Sequence, residues 1–170
     1  HGEMLGEKGL WTKQVMYEAS AGIPVIMAGP NVPKAHLCRT AVSLVDVAAT
    51  AHEVMLDQSP TGQDGTSLRT VARSADDPER AVLSEYHDGG SSTGAFMIRW
   101  QRWKYVHYVD MPPQLFDLES DPEERTDLGT DPTHLQVRDE ALKRLHEFCD
   151  PDAVNTRCFA DQARRIETLG

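Results

Sequence analysis

The sequence predicts an α/β protein, and three observations carry that expectation. A continuous apolar run, Ile23 to Gly29, has the length and the bounding glycines of a strand buried on both faces, as in a parallel sheet. Two aromatic-rich runs, Ala95 to Trp100 and Trp103 to Val109, are separated by two residues and read as a hairpin in a small antiparallel sheet. Amphipathic patterns beginning at Ser43 and at Thr133 supply helices.

In chain order, His1 to Lys13 reads HGEMLGEKGLWTK, and glycines at positions 2, 6 and 9 make it a repeatedly turning loop. Gln14 to Ala21 lacks breakers and is expected to be a short helix stopped by Gly22, ahead of the apolar strand in which Pro24 sits near the start. Ser43 with Asp46 three residues on forms a capping-box pattern, and Leu44, Val47, Ala48, Ala51 and Met55 then trace one apolar face. A turn-rich stretch follows from Asp57 to Gly65. Ala81 to Tyr86 is strand-like and leads into a flexible His87–Ser92 loop, and Leu115 to Leu118 offers one more short strand. The acidic run from Asp117 to Asp131 lacks the calcium-loop pattern and reads as a solvated connection with a helical turn after Asp121-Pro122. A helix from Thr133 to Cys149 with Leu135, Leu142, Leu145 and Cys149 on one face, a break at Asp150-Pro151 and a helical tail complete the chain. The tail's few apolar residues, Phe159, Ile166 and Leu169, suggest docking onto another surface. These boundaries divide the chain into 1–64, 65–150 and 151–170.

Composition narrows the function. The 170 residues carry 17 Lys+Arg against 27 Asp+Glu, a net charge of −10, with 39% hydrophobic and 26% charged residues. An acidic chain is a poor partner for nucleic acid or an anionic membrane surface. No apolar run approaches the roughly 18 residues of a membrane span, and no signal peptide is apparent. An opening His rather than Met leads to the expectation that the sequence starts within a longer protein or after processing. Cys38, Cys149 and Cys158 form no CxxC pair. They read as buried or half-buried thiols, with a Cys149–Cys158 bridge left open, and fit a reducing compartment. The expected location is therefore cytoplasmic, with the periplasm as the alternative.

Chemistry-bearing residues concentrate at the start. A neutral imidazole at His1 suits a metal ligand or a general base, and Lys13 is a compact cation at the far end of the loop, suited to an anionic transferring group. His87, at a strand end before a Gly/Ser-rich loop, could reach a pocket from the smaller subdomain; the alternative is a partly exposed structural histidine. Trp100, Trp103, Tyr105 and Tyr108 could cage a quaternary ammonium or simply pack the sheet.

The segment from His1 to Pro30 resembles the downstream signature of type I sulfatases in the alkaline-phosphatase-like superfamily. Gly6-Glu7-Lys8-Gly9-Leu10-Trp11-Thr12-Lys13 matches the family's G-E-H-G-L-W-x-K, with Lys8 where His is common. Val42-Ser43-Leu44-Val45-Asp46, Arg102-Trp103-Lys104-Tyr105, and Gln114 to Leu118 with Asp121-Pro122-Glu123-Glu124 are similar to the family's C-terminal subdomain. Gly94 to Arg99 and the long tail suggest the choline-sulfatase-like branch.

The resemblance implies the C-terminal part of an alkaline-phosphatase-like sulfatase fold: the end of the α/β catalytic domain, then a small antiparallel sheet with a packed helix. It implies His1 as a metal ligand, Lys13 as the lysine contacting the sulfate oxygens, and Trp11 and Leu10 as packing residues. The family's nucleophile is a formylglycine made from Cys or Ser in a C-x-P/A-x-R motif. Cys38 cannot supply it, since Thr40 and Val42 occupy the following key positions, so nucleophile and aspartates are expected upstream. The implied cofactor is a divalent cation, Ca²⁺ with Mg²⁺ or Mn²⁺ as alternatives. The implied partners are a small sulfate ester, the upstream part of the same protein and a second copy in a homo-oligomer. His87 would read the substrate's alcohol portion, and this chain alone would be inactive. Two other readings stay open: a phosphonate monoester or phosphodiester hydrolase of the same superfamily, and a non-catalytic fragment serving oligomer assembly.

Overall fold

The computed structural model describes residues 1–57, 62–87 and 91–169. The chain forms two compact units, His1–Ile23 with Leu83–Gly170, and Pro24–Val82. These units run differently from the segments delimited above.

The larger unit is built on a four-stranded sheet in the order β1-β2-β3-β4: Val82–Tyr86, Ala95–Trp100, Trp103–Tyr108 and Met111–Asp117. Strands β2 and β3 pair antiparallel from Ala95↔Tyr108 to Trp100↔Trp103, closed by Gln101-Arg102 as the spacing predicts. Strand β4 is longer than expected. Pro112 and Pro113 lack the amide that an inner strand must donate, and they are tolerated because β4 lies at the sheet edge.

Both faces of the sheet are covered. Phe96, Ile98, Trp100 and Tyr105 are buried on one face, where helix α4 (Leu135–Phe148) packs with Ala141 and Leu145 inward. On the other face Ala95, Met97 and Val106 close over Met16 from the N-terminal segment. This two-sided burial is why β2 reads AFMIRW without alternation. The aromatic residues considered as a cage are sheet packing: Trp100 and Tyr105 are buried, while the Tyr108 hydroxyl donates to Gln114 Oε1 at 2.9 Å. Burial pushes the Tyr108 phenol up to about 12. Helix α5 (Pro151–Leu169) forms the tail, with Phe159, Ile166 and Leu169 exposed. All three cysteines are free and half-buried.

The smaller unit holds α2 (Leu44–Leu56) and α3 (Leu68–Arg73). The capping box forms: the Ser43 amide donates to Asp46 Oδ2 at 2.8 Å. Asp46 also accepts from the Thr66 amide at 2.8 Å and from Arg80 at 2.7 Å. Burial opposes its ionisation, but Arg80 and the two amides outweigh that and hold the carboxyl below its usual range.

Several expectations need correction. The helix expected over Gln14–Ala21 shrinks to α1, Glu18–Ala21. Ile23–Gly29 forms no strand among the described residues, and Ile26 is 94% exposed, because no neighbouring strand offers it a hydrogen-bond ladder. The apolar face of α2 is turned outward: Leu44, Val47 and Met55 are exposed, whereas Asp46 and Ala49 are buried. The Asp46 network, rather than apolar contact, decides which face turns inward. Residues 88–90 of the expected His87–Ser92 loop and residues 58–61 of the Asp57–Gly65 connection lie outside the described residues.

Candidate functional site

The N-terminal loop folds back on itself. The Met4 amide donates to the Thr12 carbonyl at 2.9 Å and the Gly6 amide to the Leu10 carbonyl at 2.9 Å, with a short 3-10 turn at Glu7–Gly9 forming the tip. Gly6 has φ 96°, in the left-handed region that glycine enters without a side-chain clash. Buried Met4 anchors the stem.

Both ends of the loop are tied to one residue. The Gly2 amide donates to the Ser20 carbonyl at 2.8 Å, and the Ser20 hydroxyl donates to the Lys13 carbonyl at 2.8 Å. Ser20 is buried in α1, so the backbones flanking His1 and bearing Lys13 converge on it. The side chains of His1 and Lys13 are themselves exposed, and His1 Nδ1 lies 2.9 Å from the Gly2 carbonyl. Trp11 is 70% exposed and Leu10 is exposed as well, so the packing role expected of them is not met within this chain.

A buried ionic cluster underlies this loop, and the sequence reading missed it. Lys104 on β3 is fully buried. Its Nζ donates to the Met16 carbonyl at 2.9 Å, pairs with Glu124 Oε1 at 2.9 Å and also reaches the Glu18 carboxylate. The other oxygen of Glu124 accepts the Glu18 amide at 2.6 Å. Lys8 donates to the carbonyls of Glu123 and Glu124 and stands 4.7 Å over the Tyr17 ring. Two acids of the run expected to be solvated are therefore buried, Glu124 here and Asp117 beside Arg102. The Arg102 hydrogen bond holds the Asp117 carboxyl down at about 2. The signal was present as a Lys between two aromatics on an inner strand, where a lone cation demands a buried counter-charge.

His87 belongs to another cluster. Its ring meets Phe96 edge-on at 5.0 Å, its Nε2 lies 3.6 Å from Glu85, and Gly94 lies directly against it. The Gly94 amide donates to Asn155 Oδ1 of α5 at 2.8 Å. Nε2 is buried and makes no hydrogen bond.

The described residues do not by themselves make a cation site. Among the described residues no three His, Cys, Asp or Glu side chains gather as metal ligands. His1 can offer one nitrogen, whereas a hard divalent ion takes six to eight oxygens as Ca²⁺ or an octahedral set as Mg²⁺.

Residues 6–150 match the family model described as N-sulphoglucosamine sulphohydrolase, C-terminal. The chain is 40% identical to the choline-sulfatase of Rhizobium meliloti over 97% of its own length and 33% of the relative's. It is 36% identical to arylsulfatase K of Mus musculus over 87% of this chain and 29% of that one. Among solved structures, a 2-O GAG sulfatase superposes with TM-score 0.74 at 26% identity, covering 96% of this chain and 36% of that one. A phosphonate monoester hydrolase from Silicibacter pomeroyi superposes with TM-score 0.70 at 26% identity, covering 89% and 34%. The chain thus spans about a third of the length of the curated relatives it matches.

Proposed function

The chain belongs to the N-sulphoglucosamine sulphohydrolase C-terminal family of sulfatases, and from that premise we propose that it is the C-terminal portion of an enzyme that hydrolyses small sulfate esters. The match over residues 6–150 carries this reading, since it takes in the Gly6–Lys13 part of the loop and the sheet that supports it. Lys13 is the residue we assign to the sulfate oxygens. Cleaving a sulfate ester leaves negative charge on the departing oxygen, and an ammonium carried on a backbone already held in place has less to rearrange when it meets that charge. Ser20 supplies the fixing, through its hydroxyl to the Lys13 carbonyl. His1 would offer one imidazole to a Ca²⁺, Mg²⁺ or Mn²⁺ ion whose carboxylates come from outside these residues, and such an ion would neutralise charge on the sulfuryl oxygens. His87, directly after β1, is assigned to the alcohol portion of the ester.

The formylglycine nucleophile and its aspartates would come from the upstream part of the same protein, so the 170 residues alone would not turn over substrate. The outward apolar face of α2 and the exposed Val25-Ile26 pair suit a chain that completes a larger domain. The exposed apolar residues of α5 suit a homo-oligomer contact. A second reading, hydrolysis of phosphonate monoesters, is favoured by the Silicibacter neighbour, because Lys13 suits a phosphonyl group equally well. Steady-state turnover of matched aryl sulfate and aryl phosphonate esters by the complete protein separates them. A higher kcat/KM on the sulfate supports the proposal, and preference for the phosphonate replaces it with the second reading.

A further inference from the structure

We infer that the buried Lys104–Glu124 pair is the positioning device of the Lys13 loop, an inference that rests on the assignment of Lys13 above. Three segments far apart in sequence meet at this pair: the start of β3, the turn after Asp121-Pro122, and the N-terminal segment. Lys104 holds the Met16 carbonyl and the Glu18 carboxylate, while Glu124 holds the Glu18 amide. Lys8 binds the backbone carbonyl of the same Glu124. The loop is thereby gripped on both sides of Lys13, at Lys8 by the Glu124 turn and at Met16–Glu18 by Lys104 and Glu124 together.

The backbone supports this reading. Glu124 and Lys8 both have φ 52°, a left-handed conformation costly for residues other than glycine. Such strain persists where the surroundings over-determine it, and here it aims the Glu124 carboxylate into the sheet and its carbonyl at Lys8. A solvated acidic turn would need neither. Glu124 is 2% and Lys104 0% exposed at the side chain, so water does not substitute for either partner.

A buried ion pair adds little net stability over apolar residues of the same size, but it fixes geometry. The test uses that difference. In the complete protein, Lys104→Met combined with Glu124→Leu removes both charges together and conserves volume, so the melting temperature should stay near the wild-type value while the loop loses its grip at Met16–Glu18 and keeps only the Lys8 contact to backbone carbonyls. The expected result is a fall of at least tenfold in kcat/KM, taken mainly in kcat, because a small misplacement of a charge-stabilising group is felt in the transition state. Hydrogen exchange at the Gly2, Met4 and Gly6 amides should quicken at least tenfold. Should the double variant unfold, Glu124→Gln keeps an acceptor and the volume, and is expected to show the same two changes to a smaller degree. Wild-type kcat/KM together with wild-type exchange in either folded variant overturns the inference. Lys13→Ala is measured alongside. If it leaves turnover unchanged, the Lys13 assignment fails on its own, and loop exchange still decides whether Lys104–Glu124 sets the loop.

Discussion

Replacing Gly94 by alanine should displace His87, and the structure gives the size of the effect. A Cβ at position 94 would lie 2.6 Å from His87 Cε1, 2.8 Å from Nδ1 and 3.1 Å from Asn155 Oδ1. Ordinary contact begins near 3.4 Å, so the imidazole must retreat by roughly 0.8 Å. The ring has little room to do so. Phe96, which it meets edge-on at 5.0 Å, is fully buried, and Asn155 is held by the Gly94 amide. Overpacking of this kind costs about 1–3 kcal/mol. Urea unfolding of the complete protein should therefore show a lower midpoint with an unchanged slope. If His87 reads the alcohol portion of the substrate, KM for the ester should rise as well, while inhibition by inorganic sulfate stays as in the wild type. An unchanged midpoint would refute the packing argument. A lowered midpoint with unchanged KM would refute the substrate role and leave the packing intact.

Ser20→Ala removes the hydroxyl that holds the Lys13 carbonyl at 2.8 Å; it should cost about 1 kcal/mol of stability and lower kcat more than it raises KM, as steady-state kinetics would show. Asp117, held at about 2 by Arg102, lies below its ordinary value of 3.8. Its contribution is therefore fully present above pH 4 and is lost as the pH falls toward 2. That contribution is about 1–2 kcal/mol once the partial exposure of Arg102 is allowed for, and Arg102→Gln should flatten this part of the acid-unfolding profile.

The elements legible in the sequence were those decided locally. The hairpin of β2 and β3 follows from two strand-like runs two residues apart, and the start of α2 from Ser43 and Asp46, whose side chain and backbone settle the cap among themselves. What failed depended on distant partners. Ile23–Gly29 has the composition of a buried strand, yet a strand exists only with a neighbour to bond. The Leu44/Val47/Met55 stripe predicts a buried face, and in this chain Asp46 with Arg80 turns the opposite face inward. Met111–Gln114 was hidden by two prolines that only an edge position permits.

The site divides in the same way. His1 and Lys13 were visible because chemistry-bearing residues on a glycine-rich loop stand out from a single segment. The Lys104–Glu124 pair joins positions 20 residues apart, each of which looks ordinary alone, and only the fold brings them together beneath that loop.

Truncating Lys13 probes the account most directly. Lys13→Ala in the complete protein, with turnover of an aryl sulfate followed under kcat/KM conditions, removes one charge-stabilising donor, a loss of roughly 2.7–4 kcal/mol in transition-state stabilisation. A fall in kcat/KM of a hundredfold or more is the predicted result. Turnover equal to the wild type would contradict it and take Lys13 out of the reaction.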